Sequence, residues 1–312
     1  MQWLKRHGQT HRAIERFWKV VLVSALNEDL ERMSAYYPAH VFREAFLKSR
    51  EGGRMGVPRV PLTELYGAAA EYIRGRGGEV RLRTSAESFR VEQDGVSMCV
   101  NGAEVACDFA VLAVPFDALQ PMLPEIAGAA PLRQMISHFE TSPITGVHLW
   151  FDREVTDLDH AVLLDRTIQW MFHKSRLLGR EGASYIELVI SSSKTLVEKP
   201  RADIIDMALR ELAEFFPAVR DAKLVKSTVI KEVHATYSAL PGSDAYRPPP
   251  ATAWPRVFLA GDWTRTGWPA TMEGAVRSGY LAAEQVADAA GQTVKFLVED
   301  LQPEGLMRIV SS

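Results

Sequence analysis

The spacing of apolar positions divides the chain into blocks of different period. In "HRAIERFWKVVLVSALNEDLERM" (11–33), Ile14, Phe17, Trp18, Val21 and Leu22 recur at helical spacing, which predicts a helix with one buried stripe. "PAHVFREAFLKSR" continues that pattern through Val41, Phe42, Ala45 and Phe46. After the glycine- and proline-rich "EGGRMGVPRV" (51–60), Leu62, Leu65, Tyr66, Ala69 and Ile73 predict another helix, closed by Gly75, Gly77 and Gly78.

The period then drops to two. Val80 and Leu82 alternate with arginines, predicting a strand over 80–86. Asp94-Gly95 and Asn101-Gly102 are hairpin signals, so three short antiparallel strands should follow. The second turn sets a register in which Val100 faces Ala103 and Val96 faces Cys107. "FAVLAVP" (109–115) is apolar throughout, as suits a strand buried on both faces of a parallel sheet. Helix, parallel-type strand, meander and returning parallel strand together outline an α/β nucleotide-binding domain with a β-meander crossover.

Residues 119–251 form a second region. "SPITGVHLWFDREV", "ASYIELVISSS" and "KLVKSTVIKEVHATYSALPG" predict strands, and "RADIIDMALRELAEFF" predicts a helix between Pro200 and Pro217. "YRPPPATAW" leads back as a stiff linker. The expected organisation is a helical segment over 1–56, a nucleotide-binding domain over 57–118 and 252–291, an inserted α+β domain over 119–251, and a tail over 292–312.

Composition narrows the chemistry. The formal charge of −3 comes with scattered basic residues, which disfavours nucleic acid as a partner. Cys99 and Cys107 lie on opposite faces of the expected hairpin, so they are read as reduced thiols, in keeping with a cytoplasmic protein. No apolar run is long enough to span a bilayer, while an amphipathic face leaves peripheral contact with the inner side of a membrane open. His7 and His11 have a spacing that two metal ligands could share, but Gly8 lies between them and no third ligand is near, so no metal site is expected. No Gly-x-Ser-x-Gly elbow surrounds "SSS" (191–193), and no catalytic acid or base stands out.

"VFLAGDWTRTGWPATMEGAVRSGYLAAEQVADAAG" (257–291) carries the most specific chemistry. A short apolar strand ends at Gly261, where a missing side chain would let a ligand approach the backbone. Asp262 follows at the carboxyl end of that strand, placed to accept hydrogen bonds from ligand hydroxyls. A helix beginning near Thr271 would aim free amides and its positive dipole end at the same crevice. Ala270, Gly274 and Ala275 would admit a flat ring, but they equally suit plain packing of helix on sheet.

"LAGDWTRTGWPATMEGAVRSGYLAAEQV" resembles the carboxyl-terminal FAD-binding signature of the amine oxidase / phytoene desaturase superfamily of flavoproteins. It is most similar to the squalene-associated FAD-dependent desaturases, or hydroxysqualene dehydroxylases. "RFWKVVLVSALNE", "MGVPRVPLTELY", "FAVLAVPFDAL", "SPITGVHLWFDREV", "QWMFHKSR" and "TAWPRVFLAGDW" resemble family segments in the family's order, so the likeness covers almost the whole chain. It implies FAD as cofactor and a long hydrophobic isoprenoid as substrate, with hydroxysqualene reduced to squalene in the hopanoid route. By the same resemblance Gly261 and Asp262 would contact the ribityl–pyrophosphate part of FAD, and Trp263, Pro269 and Ala270 would line the turn beside the isoalloxazine. Met272 and Glu273 would offer backbone amides to its pyrimidine edge, Ala86 would meet adenine through its backbone, and the tryptophans would shield the ring from water.

The chain departs from that family in one respect. The family opens with a strand, a Gly-x-Gly-x-x-Gly turn and a helix that hold the diphosphate, and no such sequence occurs here. The expectation is a truncated or split member that retains FAD weakly or not at all by itself. A partner chain could supply the missing βαβ unit, and other expected readings are a relative acting on a carotenoid or an amine, or a non-catalytic remnant.

Overall fold

The computed structural model describes residues 1–126, 128–180, 182–305 and 308. It divides into two compact units, one formed by 1–31, 54–80 and 141–236, the other by 32–53, 81–140 and 237–312.

The first unit is built on a five-stranded sheet. Its strands run in the order His160–Val162, Trp170–His173, Ser184–Ser191, Thr141–Phe151 and Leu224–Tyr237. Alternation along Thr141–Phe151 and Ser184–Ser191 sends Val147, Leu149, Ile186 and Leu188 into the core, where Ile204, Ala208 and Leu212 of the helix Arg201–Phe215 cover them. The opposite face is half-buried and aromatic: Trp150 stacks on Tyr185 at 4.5 Å, and Trp170 on Phe172 at 5.8 Å. The predicted strands and helix of this region all form.

The segment before this sheet follows the sequence pattern only in part. Thr10 caps the helical run through its side chain, which accepts from the Ala13 amide at 3.2 Å, and Asn27 ends it in the left-handed conformation. Between them, Ile14–Trp18 form a π-helical turn. The extra residue rotates the stripe, so Ile14, Leu22, Val23 and Leu26 are buried while Phe17 stays exposed. A second π-turn, Arg43–Leu47, does the same in the other unit: Tyr37 is the buried side chain of the helix Tyr36–Phe42, and Phe46 faces solvent. The helix Leu62–Gly75 forms as predicted but buries none of its residues.

In the second unit the meander matches its expected register. Ala86–Val91, Val96–Val100 and Ala103–Cys107 pair antiparallel, with Val96 opposite Cys107 and Val100 opposite Ala103. Asn101 and Gly102 both take positive φ, as the tight turn demands. Ala110–Leu112 then pairs parallel with Val257–Leu259. The predicted strand over 80–86 does not form. Leu82 is 81% exposed and Arg83 takes positive φ, because no strand among the described residues lies alongside to complete a ladder. The core of this unit gathers Phe89, Leu112, Leu119, Ile136, Phe139, Trp254, Leu259 and Trp263.

Among the described residues no helix is long and apolar enough to cross a membrane. Because Cys99 stands opposite Glu104 while Cys107 stands opposite Val96, the two sulfurs sit on different faces of the hairpin. Chain purified without reductant and then denatured should therefore titrate both thiols, and a protein without reactive thiols would contradict this register.

Candidate functional site

The strand Val257–Leu259 delivers the chain to Gly261 at φ +134°, a region closed to most side-chain-bearing residues. A Cβ there would lie 2.4 Å from Nε1 of Trp263. The glycine is thus required by the protein's own indole, a packing reason that the sequence did not show. Trp263 is 1% exposed, donates through Nε1 to the Val114 carbonyl at 3.0 Å, and meets Phe139 edge-on. It supports the turn from beneath and has no open face on which to shield a ring, which corrects that expectation for this tryptophan. The Gly261 amide donates to Ser278 Oγ at 2.7 Å, tying the strand's end to the following helix. Its carbonyl accepts from the amide and the hydroxyl of Thr264 at 3.0 and 2.8 Å.

Past the turn, Trp268 is half-buried, edge-on to His40 at 4.9 Å, with the Arg277 guanidinium over its ring at 5.6 Å. Pro269 is buried, and Ala270 packs on the core. The helix Met272–Ala289 is capped by Thr271, whose hydroxyl accepts from the Gly274 amide at 3.1 Å. Gly274 is small for a local reason too: a Cβ there would come within 2.5 Å of the Pro269 carbonyl. Met272, 62% exposed, and Glu273, paired with Arg277 at 3.4 Å, occupy the first turn, where backbone amides lack intrahelical acceptors. Gly261, Asp262, Trp263, Pro269, Ala270, Met272 and Glu273 thus form one continuous strand–turn–helix feature. Ala86 lies on a different element, at the exposed start of the meander opposite Val100.

Asp262 is the chemically distinctive group. Its side chain is half-buried, and no side chain among the described residues donates a hydrogen bond to its carboxylate. Burial pushes its pKa above the ordinary carboxylate value, against the pull of the Arg247 charge and nearby backbone amides. A carboxylate with unspent lone pairs beside a helix N-terminus is suited to accept hydroxyl groups of a polyol chain, while the helix amides suit an anionic edge. That combination fits the ribityl and pyrimidine parts of a flavin.

Sequence reasoning missed what lies behind the turn. Arg247, read only as part of a stiff linker, is fully buried. Its Nη2 donates to the Asp262 carbonyl and to Thr266 Oγ1, both at 2.9 Å, and Nη1 donates to Tyr37 Oη and Asp244 Oδ1, both at 3.2 Å. No local pattern marks Arg247 as buried: it stands ahead of three prolines in a segment that the sequence shows only as a linker. His40 is pushed below its usual pKa chiefly by burial, and its Nε2 has no hydrogen-bond partner.

Two outcomes follow from this geometry. Gly261→Ala should cost about 2–4 kcal/mol, from a strained φ and a displaced indole, read as a lower urea midpoint; an unchanged midpoint would refute the packing account. Because the folded Asp262 carboxyl titrates above its unfolded value, its burden on stability is absent below the unfolded pKa and complete above the folded one. Asp262→Asn should therefore raise the melting temperature at pH 7, with a gain that shrinks as the pH falls toward about 4, and a gain constant with pH would contradict it.

Residues 2–287 match the family described as flavin containing amine oxidoreductase. A 15-cis-phytoene desaturase from Synechococcus elongatus is 28% identical over 303 residues, covering 91% of this chain and 64% of that protein. A probable zeta-carotene desaturase from the same organism is 26% identical, covering 92% and 66%. The chain thus spans less than two thirds of the length of the first of these relatives. Cyclohexylamine oxidase from Brevibacterium oxydans shares the fold at a TM-score of 0.67 and 14% identity, over 93% of this chain and 67% of its own. The mixed α/β architecture is that of flavin-dependent oxidoreductases, and the cofactor the family implies is FAD. The chain belongs to the flavin containing amine oxidoreductase family.

Proposed function

We propose that this chain carries the flavin-ring end of an FAD-dependent oxidoreductase that acts on a long isoprenoid. The observation carrying this reading is the half-buried Asp262, without a side-chain donor, beside the capped N-terminus of Met272–Ala289. Gly261 and Asp262 would hold the ribityl chain, the Met272 and Glu273 amides would meet the pyrimidine edge, and Pro269 and Ala270 would border the ring. When bound, FAD supplies two-electron redox chemistry, and the protein orients substrate and excludes water. The amides at the helix N-terminus favour negative charge on the ring edge they face. Trp268, half-buried at the turn's surface, is the tryptophan suited to limiting solvent there.

The substrate class draws on the desaturase relatives and on the aromatic sheet face of the first unit. Trp150, Tyr185, Trp170 and Phe172 give that face an apolar surface of rings, and Trp170 reaches Ser24 of the preceding helix at 2.7 Å. An isoprenoid needs such a surface because it has few polar atoms to recognise. Within this class hydroxysqualene, suggested by the signature motifs, and a carotenoid precursor are the two candidates. They need opposite flavin states, since removing a hydroxyl consumes electrons and desaturation releases them. Peripheral membrane contact would suit either water-insoluble substrate.

Diphosphate recognition falls outside the elements described. No Gly-x-Gly-x-x-Gly sequence occurs in the chain, and among the described residues Ala110–Leu112 pairs on one edge only, with Val257–Leu259. A βαβ unit supplied by a further segment or a partner chain would extend that two-stranded sheet. The chain by itself should then bind FAD saturably but weakly.

The test is anaerobic mixing of the FAD-loaded enzyme, completed where needed by such a unit, with phytoene, hydroxysqualene or cyclohexylamine. Phytoene should bleach oxidised flavin, or hydroxysqualene should reoxidise reduced flavin, while the amine leaves the spectrum unchanged. Reduction of the flavin by the amine alone would contradict the isoprenoid reading.

A further inference from the structure

Arg247 poses a physical problem. It is fully buried, and the carboxylate it pairs with, Asp244, is itself half exposed. Its Nε lies buried without a hydrogen-bond partner, and its guanidinium sits over the Tyr237 ring at 5.5 Å. Burying a cation so incompletely neutralised costs several kcal/mol. A neutral side chain could bridge the same backbone and hydroxyl acceptors at lower cost, so the positive charge itself calls for a reason.

The pattern of contacts supplies one. Nη2 donates to the main-chain carbonyl of Asp262, not to its carboxylate, and the same nitrogen reaches Thr266 Oγ1. The Arg247 carbonyl in turn accepts from Arg265 Nε at 3.2 Å, and the Pro248 carbonyl accepts from the Arg265 amide at 2.8 Å. The turn is thereby clamped at Asp262, Arg265 and Thr266 from one side. A direct ion pair would have engaged one or both carboxylate oxygens of Asp262. Holding the carbonyl keeps the positive charge close while leaving the carboxylate oxygens for another donor.

We propose that Arg247 is the positioning residue of the cofactor turn. It fixes residues 262–266 from behind and keeps the Asp262 carboxylate ionised and available to ligand hydroxyls. This rests on the reading that the turn receives the ribityl chain of FAD. The charged and titratable groups around the pair are Tyr37, Tyr237, Asp244 and Arg265, whose Nε donates to the Arg247 carbonyl. Both phenols are pushed up by burial and remain neutral, and Arg247 is the charge that pulls the Asp262 pKa down against burial.

The experiment follows the Asp262 carboxyl by carbon-13 NMR in the FAD-free chain, assigned with Asp262→Asn, alongside FAD titrations by fluorescence quenching across pH. Arg247→Met should move the Asp262 titration upward by about one unit and shift the acid limb of FAD affinity by the same amount. Arg247→Lys should restore the titration but leave affinity several-fold weaker, because an ammonium cannot reproduce the guanidinium's bridge between the Asp262 carbonyl and Thr266. An Asp262 titration unchanged in folded Arg247→Met, or affinity lost equally at every pH, would reduce Arg247 to a structural cross-link and overturn the proposal. If the methionine variant does not fold, the lysine variant decides: affinity equal to the parent's refutes the positioning role. Absence of FAD binding by the parent chain would instead refute the cofactor reading, while the Asp262–Arg247 coupling would still be read in the FAD-free NMR titration.

Discussion

The candidate site depends on the seating of the Trp263 indole beneath Gly261. Only a residue without a Cβ can turn at φ +134° above an indole 2.4 Å from where that atom would be. The indole is held by the Val114 carbonyl at the end of the neighbouring parallel strand, so the same contact orders turn and sheet. The Gly261 amide's bond to Ser278 then fixes the helix to the strand it follows. Strand, turn and helix are one rigid piece, and Asp262 inherits its place from them.

That rigidity has an electrostatic cost. Asp262 is held where burial disfavours its charge, and Arg247 is buried more completely than its counter-ion can offset. Neither arrangement helps the chain to fold. Groups kept in unfavourable states by an over-determined surround are commonly those that act on a ligand, because the ligand supplies the missing partner. On the function proposed above, the missing partner is a hydroxyl donor of a polyol chain, which an acceptor-only carboxylate suits better than a second anion.

Much of this was legible in the sequence where local chemistry dominates. Asn101-Gly102 dictates the meander register, alternation marks three of the five strands of the large sheet but not the short His160–Val162 and Trp170–His173, and Thr271 marks the helix start. Three features were hidden, each for a physical reason. π-turns at Ile14–Trp18 and Arg43–Leu47 shift the phase of a stripe that otherwise reads as an ordinary helix. The alternating arginines near Val80 read as a strand, but none forms there because no strand among the described residues lies alongside. Arg247, Tyr37 and Asp262 are far apart in sequence, so a network joining them leaves no periodic trace. Gly261 and Gly274 also have packing reasons that the sequence did not show, the Trp263 indole and the Pro269 carbonyl.

On the proposed function, the Gly261–Glu273 feature receives the flavin. The most direct measurement is an experimental structure with FAD bound. It should show the Asp262 carboxylate within about 3 Å of a ribityl hydroxyl and the pyrimidine edge of the ring against the amides of Met272 and Glu273. Flavin bound away from this turn, or a ring packed elsewhere with Asp262 still without a hydroxyl partner, would contradict it.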